Sequence, residues 1–331
     1  MEIEAIVLSV AGAFALGGSN TLRRWILVKE MLTEGESRVV PFAIGGAVCT
    51  LWLLAGGSSP TALMPSLADA RIFFGAVTAT ILVNLFIQFA SIRSYALGEA
   101  SLIAPIQALT PGLVVFAAML FGEVPSTLGY IGIALIVVGT YIHAREGAGW
   151  RRYFEPLFVW ALLRPYAELS NNERALRWAY LSALLGTIGL LCDSLMARHG
   201  DPVLGSMLWF WGLAILFSPV GRGKTKKELP PLRQRLRQHT IPILVQGVLW
   251  GLHYPLFATA FQLAPVSYIG SMKRLAIMVT VLLAAMYLGE RATARRRIIT
   301  ASIIVAGAVC LALDPTQAKL TSSFVEFVRT L

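Results

Sequence analysis

Two adjacent cations, Lys273 and Arg274, lie in the middle of an apolar stretch that runs from Ala264 to Gly289. A charge deep in hydrocarbon is costly, so such charges are typical of sites that hold an anionic ligand, a proton or a counter-ion. Arginine suits carboxylate and phosphate groups, whereas a buried lysine can lose its proton. The pair is the leading candidate for substrate binding. The alternative is that it only fixes helix packing through Asp193 and backbone carbonyls.

The two side chains are not expected to act alike. Neighbouring positions on a helix point about 100° apart. In a continuous helix we therefore expect one of Lys273 and Arg274 to face a cavity, and the other to contact a neighbouring helix or extend toward the headgroups.

Two further ionisable residues inside apolar runs are candidates for proton coupling. Asp193 lies toward the end of the sixth run, and His253 is the one histidine well inside a run. A nearby cation stabilises a buried carboxylate, so we expect Asp193 to pair with Lys273 or Arg274. Histidine titrates near physiological pH. The alternatives are a helix-end carboxylate for Asp193 and a packing hydrogen bond for His253.

Aromatic and uncharged polar residues complete the candidate binding site. Trp250 and Tyr254 share one face of the eighth run, and Trp209 belongs to a group of rings in the seventh. Such rings can hold an aromatic or quaternary-ammonium group, although packing is their usual role. Asn20 and Gln107, in the first and fourth runs, are predicted to bind substrate or to form hydrogen bonds between helices.

Long apolar helices must position these residues. Hydrophobic residues make up 56% of the 331 and charged residues 14%, with a mean hydropathy of +0.68, whereas soluble domains are about 25% charged. Runs able to cross about 30 Å of hydrocarbon predict an all-α membrane protein with ten transmembrane helices. They lie near residues 4–22, 39–57, 72–95, 101–121, 126–143, 176–197, 203–220, 240–262, 265–288 and 298–314. Ser170 with Glu173, and Asp201 with Pro202, are typical starts for the sixth and seventh helices.

The basic residues are distributed by loop. The formal charge of +10 comes largely from the loops after the first, fifth, seventh and ninth runs, whereas the loops after even-numbered runs hold only Arg71 and Arg198. By the positive-inside rule, this bias predicts cytoplasmic odd-numbered loops and both termini outside. The positive charge therefore indicates topology, and no nucleic-acid partner is expected.

The sequence shows no pattern typical of a disulfide framework, a metal site or a catalytic centre. Cys49, Cys192 and Cys310 each fall inside a predicted span, which argues against a disulfide framework or a metal site. Paired carboxylates, His-rich spacings and nucleophile motifs were not found. We expect no catalytic residues, no cofactor and no enzyme activity.

The two halves of the chain contain a repeated pattern. The segment Phe116–Glu123, FAAMLFGE, matches Leu283–Glu290, LAAMYLGE. Because each half holds five predicted spans, an odd number, the second half must enter the membrane from the opposite side. Two inverted five-helix repeats are typical of secondary transporters. The predicted organisation is a first repeat at 1–144, a basic aromatic linker with an interfacial helix at 145–175, a second repeat at 176–315 and a tail at 316–331.

The chain resembles the drug/metabolite transporter superfamily, specifically its ten-helix EamA-type members. The resemblance rests on Gly122-Glu123 and Gly289-Glu290 at helix ends and on two Leu-x-x-x-Ser openings, Leu97 to Ser101 and Leu263 to Ser267. It implies ten helices around a central cavity that moves small metabolites without ATP. It also implies that the Met272–Leu275 basic motif and Asp193 belong to the site. Family members are commonly drawn with cytoplasmic termini, opposite to the orientation that the loop charges predict.

The sequence therefore predicts a secondary transporter in the bacterial cytoplasmic (inner) membrane that moves a small anionic or zwitterionic metabolite by alternating access. The alternative is a flippase or scramblase for a phosphate-bearing lipid. The expected partners are the small-molecule substrate, membrane lipids and protons, with the chain acting as a monomer or a homodimer.

Overall fold

All regular structure in the described part of the chain is helical. The computed structural model describes residues 3–56, 63–99, 126–144, 165–221, 229–263, 272–288 and 294–313, together with residues 103, 106, 110, 113, 269 and 270. Six of its helices are long and apolar enough to cross a membrane. The chain is thus an integral membrane protein.

Ten α-helices follow one another along the described residues. They are α1 (Ile3–Val28), α2 (Val40–Ala55), α3 (Leu67–Leu97), α4 (Thr127–Ala144), α5 (Asn171–His199), α6 (Pro202–Gly221), α7 (Leu232–Gln238), α8 (Thr240–Leu263), α9 (Leu275–Tyr287) and α10 (Ala294–Ala312). Helices α1, α2, α3, α5, α6 and α8 contain the six long apolar segments. Helices α4, α9 and α10 overlap three more predicted spans. The predicted span 101–121 and the interfacial helix of the linker lie largely outside the described residues.

The predicted helix starts at α5 and α6 are confirmed. The Ser170 hydroxyl accepts a hydrogen bond from the Glu173 backbone N–H at 3.3 Å, and the Glu173 carboxylate accepts one from the Ser170 N–H at 2.8 Å. The Asp201 carboxylate likewise accepts from the Leu204 N–H at 2.7 Å, just before Pro202 opens α6. Both caps satisfy backbone donors that have no partner within the helix.

Helices from the two halves of the chain interleave in one bundle. Helix α1 packs along α8 and α9, α3 packs along α5, α2 contacts both α6 and α8, and α4 packs against α10. Each of these contacts joins a helix of the first predicted repeat to a helix of the second. A space between the halves is therefore enclosed by helices of both.

Helices α2 and α8 approach each other closely at two glycines. A Cβ atom placed on Gly251 would lie 2.8 Å from the Cα atom of Gly45 and 3.4 Å from its carbonyl oxygen. Such close contacts between helix backbones are typical of membrane proteins, where small residues at the interface maximise van der Waals packing.

Gly251→Ala is expected to lower the free energy of unfolding by about 1–3 kcal/mol, because the added methyl group forces the two backbones apart. Gly75→Ala is the matched control, since a Cβ atom there would meet no heavy atom within 4 Å. Thermal unfolding in detergent micelles compares the two variants. Equal midpoints would contradict the close approach of α2 and α8.

A buried ion pair anchors α7 to the connection between α1 and α2. The Arg235 guanidinium donates to both carboxylate oxygens of Glu36, at 2.8 and 2.5 Å, and to the carbonyl oxygens of Met31 and Pro230. Both side chains are buried. Because the pair is bidentate, it fixes orientation as well as distance. It joins the two halves of the chain at the end of the bundle where α1 ends and α8 begins.

The structure corrects the loop assignment of two arginines. Arg23 and Arg24 follow the first predicted run, which ends near residue 22, and were therefore expected in the first loop, but α1 continues to Val28 and includes both. The apolar sequence Ile26-Leu27-Val28 continues the helix beyond them. Arg24 donates to the carbonyl oxygens of Tyr95 at 2.9 Å and Ala96 at 3.1 Å at the end of α3.

Candidate binding cavity

A cavity of about 140 Å³ lies between α1, α3, α5, α6, α8 and the residues that precede α9. One water molecule needs about 10–15 Å³ on the same measure, so the cavity has room for a small solute. Its polar, charged and aromatic lining comprises Asn20, Asn84, Gln88, Ser91, Thr110, Ser182, Asp193, Trp209, Trp250, His253, Tyr254, Lys273 and Arg274.

The structure brings together eight of the nine residues that the sequence singled out. Asn20, Asp193, Trp209, Trp250, His253, Tyr254, Lys273 and Arg274 all line this one cavity. The ninth, Gln107, lies outside the described residues. The side chains come from helices far apart in sequence, so the cavity is a product of the tertiary fold.

Asp193 is the centre of a hydrogen-bond network that joins three helices. One of its carboxylate oxygens accepts from the Thr80 hydroxyl on α3 and from the Tyr254 hydroxyl on α8, each at 2.5 Å. The Thr80 hydroxyl in turn accepts from the Asn84 amide at 3.1 Å. Asp193 is 7% exposed. A carboxylate buried in this way needs such donors, because an unpaired one would be strongly destabilising.

The helix that was predicted to carry Lys273 and Arg274 tightens at these two residues. Residue 272 is helical, Lys273 and Arg274 form a turn, and α9 begins at Leu275. The Ala276 N–H bonds to the Lys273 carbonyl at 3.3 Å and the Ile277 N–H to the Arg274 carbonyl at 2.9 Å, the three-residue spacing of a tighter helix.

The cavity lining corrects the expectation that only one of the two cations faces the cavity. Lys273 and Arg274 both line it. In the tighter helix neighbouring side chains diverge by about 120°, so the two side chains reach the cavity from different directions. Both positive charges are consequently available to the same occupant.

Lys273 and Asp193 line the same cavity with opposite charges, but no ion pair joins them within 4.0 Å in the described part of the chain. The Lys273 ammonium also lies 5.3 Å from the centroid of the Phe257 ring, within cation–π range. Asp193 and the basic pair thus share the cavity without direct pairing, and the hydrogen bonds to the carboxylate come from Thr80 and Tyr254.

His253 is held by its own helix. Its Nδ1 atom lies 2.5 Å from the Trp250 carbonyl oxygen, and its ring centroid lies 4.3 Å from that of Trp250. Because a carbonyl oxygen can only accept, Nδ1 carries the hydrogen in this contact. The packing hydrogen bond that was the alternative role for His253 is therefore present, in a residue that also lines the cavity.

Stacked rings form the wall at α6 and α8. Trp209 and Tyr254 stack with centroids 4.1 Å apart and an interplanar angle of 5°, and Phe42 on α2 packs edge-on against both Trp209 and Trp250. The stack orients the Tyr254 hydroxyl toward Asp193. The aromatic residues thus hold part of the polar network in place.

The cavity lining offers hydrogen-bond donors that the described residues do not use. The indole Nε1 atoms of Trp209 and Trp250 and the Nε atom of Arg274 are buried without a hydrogen-bond partner among those residues. Unpaired buried donors cost free energy. A ligand rich in acceptors, such as a carboxylate or a phosphate, would satisfy them.

The sequence analysis did not identify two residues at or beside the cavity, Thr80 and Arg23. Thr80 gave no signal, because threonine is common in membrane helices and its partner Asp193 is distant in sequence. Arg23 was read as a loop residue, but it is 2% exposed and lies against Trp250. Its spacing of three from Asn20 places the two on one helix face, and that spacing was a usable signal.

Comparisons with known proteins bear on the fold alone. Neither a protein-family model nor a curated protein matches this sequence. Twenty-two chains of solved structures do match. One of them, described only as the crystal structure of a protein, is similar over 93% of this chain and 97% of its own, with a TM-score of 0.60 and 16% sequence identity. The arrangement of helices described above is therefore shared with a solved structure.

Proposed function

We propose that this protein is a secondary transporter that moves a small anionic or zwitterionic metabolite across the membrane by alternating access through the cavity. The observation that carries the proposal is the placement of Lys273 and Arg274, both facing a solute-sized cavity whose other walls carry unpaired donors. Intramembrane charges that face a cavity are typical of substrate pathways. Proton coupling through Asp193, His253 or Lys273 belongs to the same proposal.

The pattern of helix contacts supports an inverted repeat. If α1, α2 and α3 correspond to α5, α6 and α8, then the packing of α1 along α8 has its counterpart in α5 along α3. The contact of α2 with α8 likewise has its counterpart in α6 with α3. The pairs α2–α6 and α4–α10 join corresponding helices, as expected beside a two-fold axis. Inverted repeats with a site between them are a basis for alternating access.

The family and the orientation are part of the proposal. We infer a ten-helix EamA-type member of the drug/metabolite transporter superfamily in a bacterial inner membrane, acting as a monomer or a homodimer. The loop charges favour termini on the outside even with Arg23 and Arg24 moved into α1. Basic residues still cluster in the loops after the fifth, seventh and ninth runs and in the first turns of α5 and α10.

A flippase or scramblase for a phosphate-bearing lipid is the second candidate. An apolar groove of about 410 Å³ lies between α1, α8 and α9, lined by residues that include Leu22, Trp25, Leu249 and Leu283. Helices α1 and α8 also line the cavity. A lipid transporter would need a lateral entrance for acyl chains, and this groove is where the described residues offer one.

The proposal is tested first by metabolite profiling of cells with and without the protein, followed by uptake of the identified solute into liposomes. Lys273→Ala is expected to lower uptake by at least about tenfold, because a hydrogen bond to a charged group contributes about 1.5–3 kcal/mol. Unchanged uptake by both Lys273→Ala and Arg274→Ala would refute the site. Movement of a phosphate-bearing lipid between leaflets, without solute uptake, would favour the second candidate.

A further inference from the structure

The apolar groove between α1, α8 and α9 faces the outside of the bundle. Tyr287, which lines the groove on α9, is 72% exposed. Helices α1 and α8 both contain segments long and apolar enough to cross a membrane. The surroundings of the groove are therefore the hydrocarbon of the bilayer.

The lining of the groove suits a hydrocarbon chain. Leu22, Leu249 and Leu283 supply apolar walls on three helices. The hydroxyl of Thr21, which also lines the groove, is already used, because it donates to the Gly17 carbonyl of its own helix at 3.0 Å. A chain that fills the groove gains van der Waals contacts that an empty space would forfeit. An acyl chain of a bilayer lipid is an occupant with this chemistry.

The groove extends along part of one leaflet. On α1 it runs from Gly18 to Trp25, seven positions or about 10 Å along the helix, and half of the hydrocarbon core is about 15 Å thick. Trp25 lies in the last turn of α1, and tryptophan is typical of the boundary between membrane and water. The groove thus leads from within the leaflet toward the headgroups at the end of α1.

An exposed lysine continues the line of the groove at this end. The Lys29 backbone N–H donates to the Trp25 carbonyl at 2.9 Å, so the helical register continues beyond the end of α1. This register places Lys29 one turn beyond Trp25 on the same face. The Lys29 side chain is exposed. A positive charge therefore lies at headgroup level where an acyl chain would leave the groove.

Helix α7 brings two more cations to the same end. Its two leucines, Leu232 and Leu236, pack against the same buried cluster as Trp25. Arg233 and Arg237 are exposed. A short helix with an apolar face on the protein and arginines outside is typical of a segment at the membrane surface. Clustered basic residues beside a membrane helix attract anionic lipid headgroups.

We propose that the groove binds one acyl chain of an anionic phospholipid from the surrounding bilayer, with the headgroup phosphate beside Lys29 and the arginines of α7. Within residues 29–38 and 229–240, the exposed charged side chains are Lys29, Arg233 and Arg237 against Glu30. The net positive charge favours an anionic headgroup over a zwitterionic one. The lipid is bound and not carried, so the site does not depend on the proposed transport function.

Native mass spectrometry of the full-length chain in detergent micelles tests the site, with phosphatidylglycerol and phosphatidylethanolamine of identical acyl chains as probes. The wild type is expected to bind phosphatidylglycerol at least about tenfold more tightly. Each Lys or Arg near the headgroup contributes about 1 kcal/mol, or roughly fivefold. Lys29→Gln should therefore weaken phosphatidylglycerol binding about fivefold and leave phosphatidylethanolamine binding unchanged.

Arg71→Gln is the matched control for charge, because it removes one exposed cation near the start of α3. Arg24 joins the end of α1 to the end of α3 through the Tyr95 and Ala96 carbonyls, so the start of α3 lies at the other end of the bundle. Arg71→Gln should keep the full preference for phosphatidylglycerol.

Leu283→Trp tests the groove itself, because the larger side chain fills the space and should weaken the binding of both lipids. Leu282→Trp is its control, since Leu282 is the neighbouring residue of α9, is 41% exposed and lies outside the groove lining. Lys29→Gln needs no space inside the bundle, so the headgroup part of the test stands even where Leu283→Trp fails to fold.

Equal affinity of the wild type for the two lipids would overturn the proposal, because the groove would then bind acyl chains without recognising charge. Binding of phosphatidylglycerol by Leu283→Trp as tight as by Leu282→Trp would also overturn it, because the lipid would then be held elsewhere. Both results are independent of solute uptake into liposomes, so failure of the lipid site is distinguishable from failure of the transport function.

Discussion

Asp193→Asn is expected to lower the free energy of unfolding by about 3–5 kcal/mol, the usual cost of leaving a buried charge uncompensated. The amide oxygen can still accept hydrogen bonds from Thr80 and Tyr254, so the substitution removes the charge and spares much of the network. What is lost is the attraction that stabilises Lys273. Thermal unfolding in detergent micelles measures the effect, with Glu168→Gln as an exposed control.

The double variant Asp193→Asn/Lys273→Met tests whether Lys273 is the charge that Asp193 compensates. When both charges are absent, no uncompensated lysine remains, and most of the lost stability should return. Coupling of this kind is the property that a double-mutant cycle measures. Additive losses would show that Asp193 stabilises the fold by some means other than its attraction to Lys273.

Arg235→Ala is expected to lower the free energy of unfolding by a similar amount, about 3–5 kcal/mol, because it leaves the Glu36 carboxylate buried without its bidentate partner. Arg237→Ala is the matched control on the same short helix, since Arg237 is exposed. Thermal unfolding in detergent micelles compares Arg235→Ala with Arg237→Ala.

Glu36→Gln combined with Arg235→Ala should be less destabilised than Arg235→Ala alone, because no buried carboxylate is then left unpaired. If Arg235→Ala behaved like Arg237→Ala, the ion pair would not be what holds α7 to the connection between α1 and α2.

The transmembrane segments were the most predictable part of the fold. Their length and hydropathy are local properties, as are the caps at Ser170 and Asp201, which the structure confirms. Helix ends beside charged residues were less predictable. Arg23 and Arg24 resemble loop cations, and only the packing of α1 against α8 places Arg23 inside the bundle.

The residues of the candidate site were predictable where an ionisable side chain lies within an apolar run. A charge or histidine within an apolar run, such as Lys273 or His253, is conspicuous in the sequence. The geometry was less predictable, because the lining of the cavity by both Lys273 and Arg274 depends on how helices distant in sequence pack around them. Thr80 was not predictable, since its role comes from contact with a residue on another helix.

The most direct test of the account is uptake into liposomes of the solute identified by metabolite profiling. Wild type and the Asp193→Asn/Lys273→Met variant are compared at equal amounts of folded protein. The account predicts uptake by the wild type and only background uptake by the variant, because a stable fold without Lys273 has lost a cation that holds the anionic group. Uptake at the wild-type rate by this variant would contradict the assignment of the cavity as the substrate site.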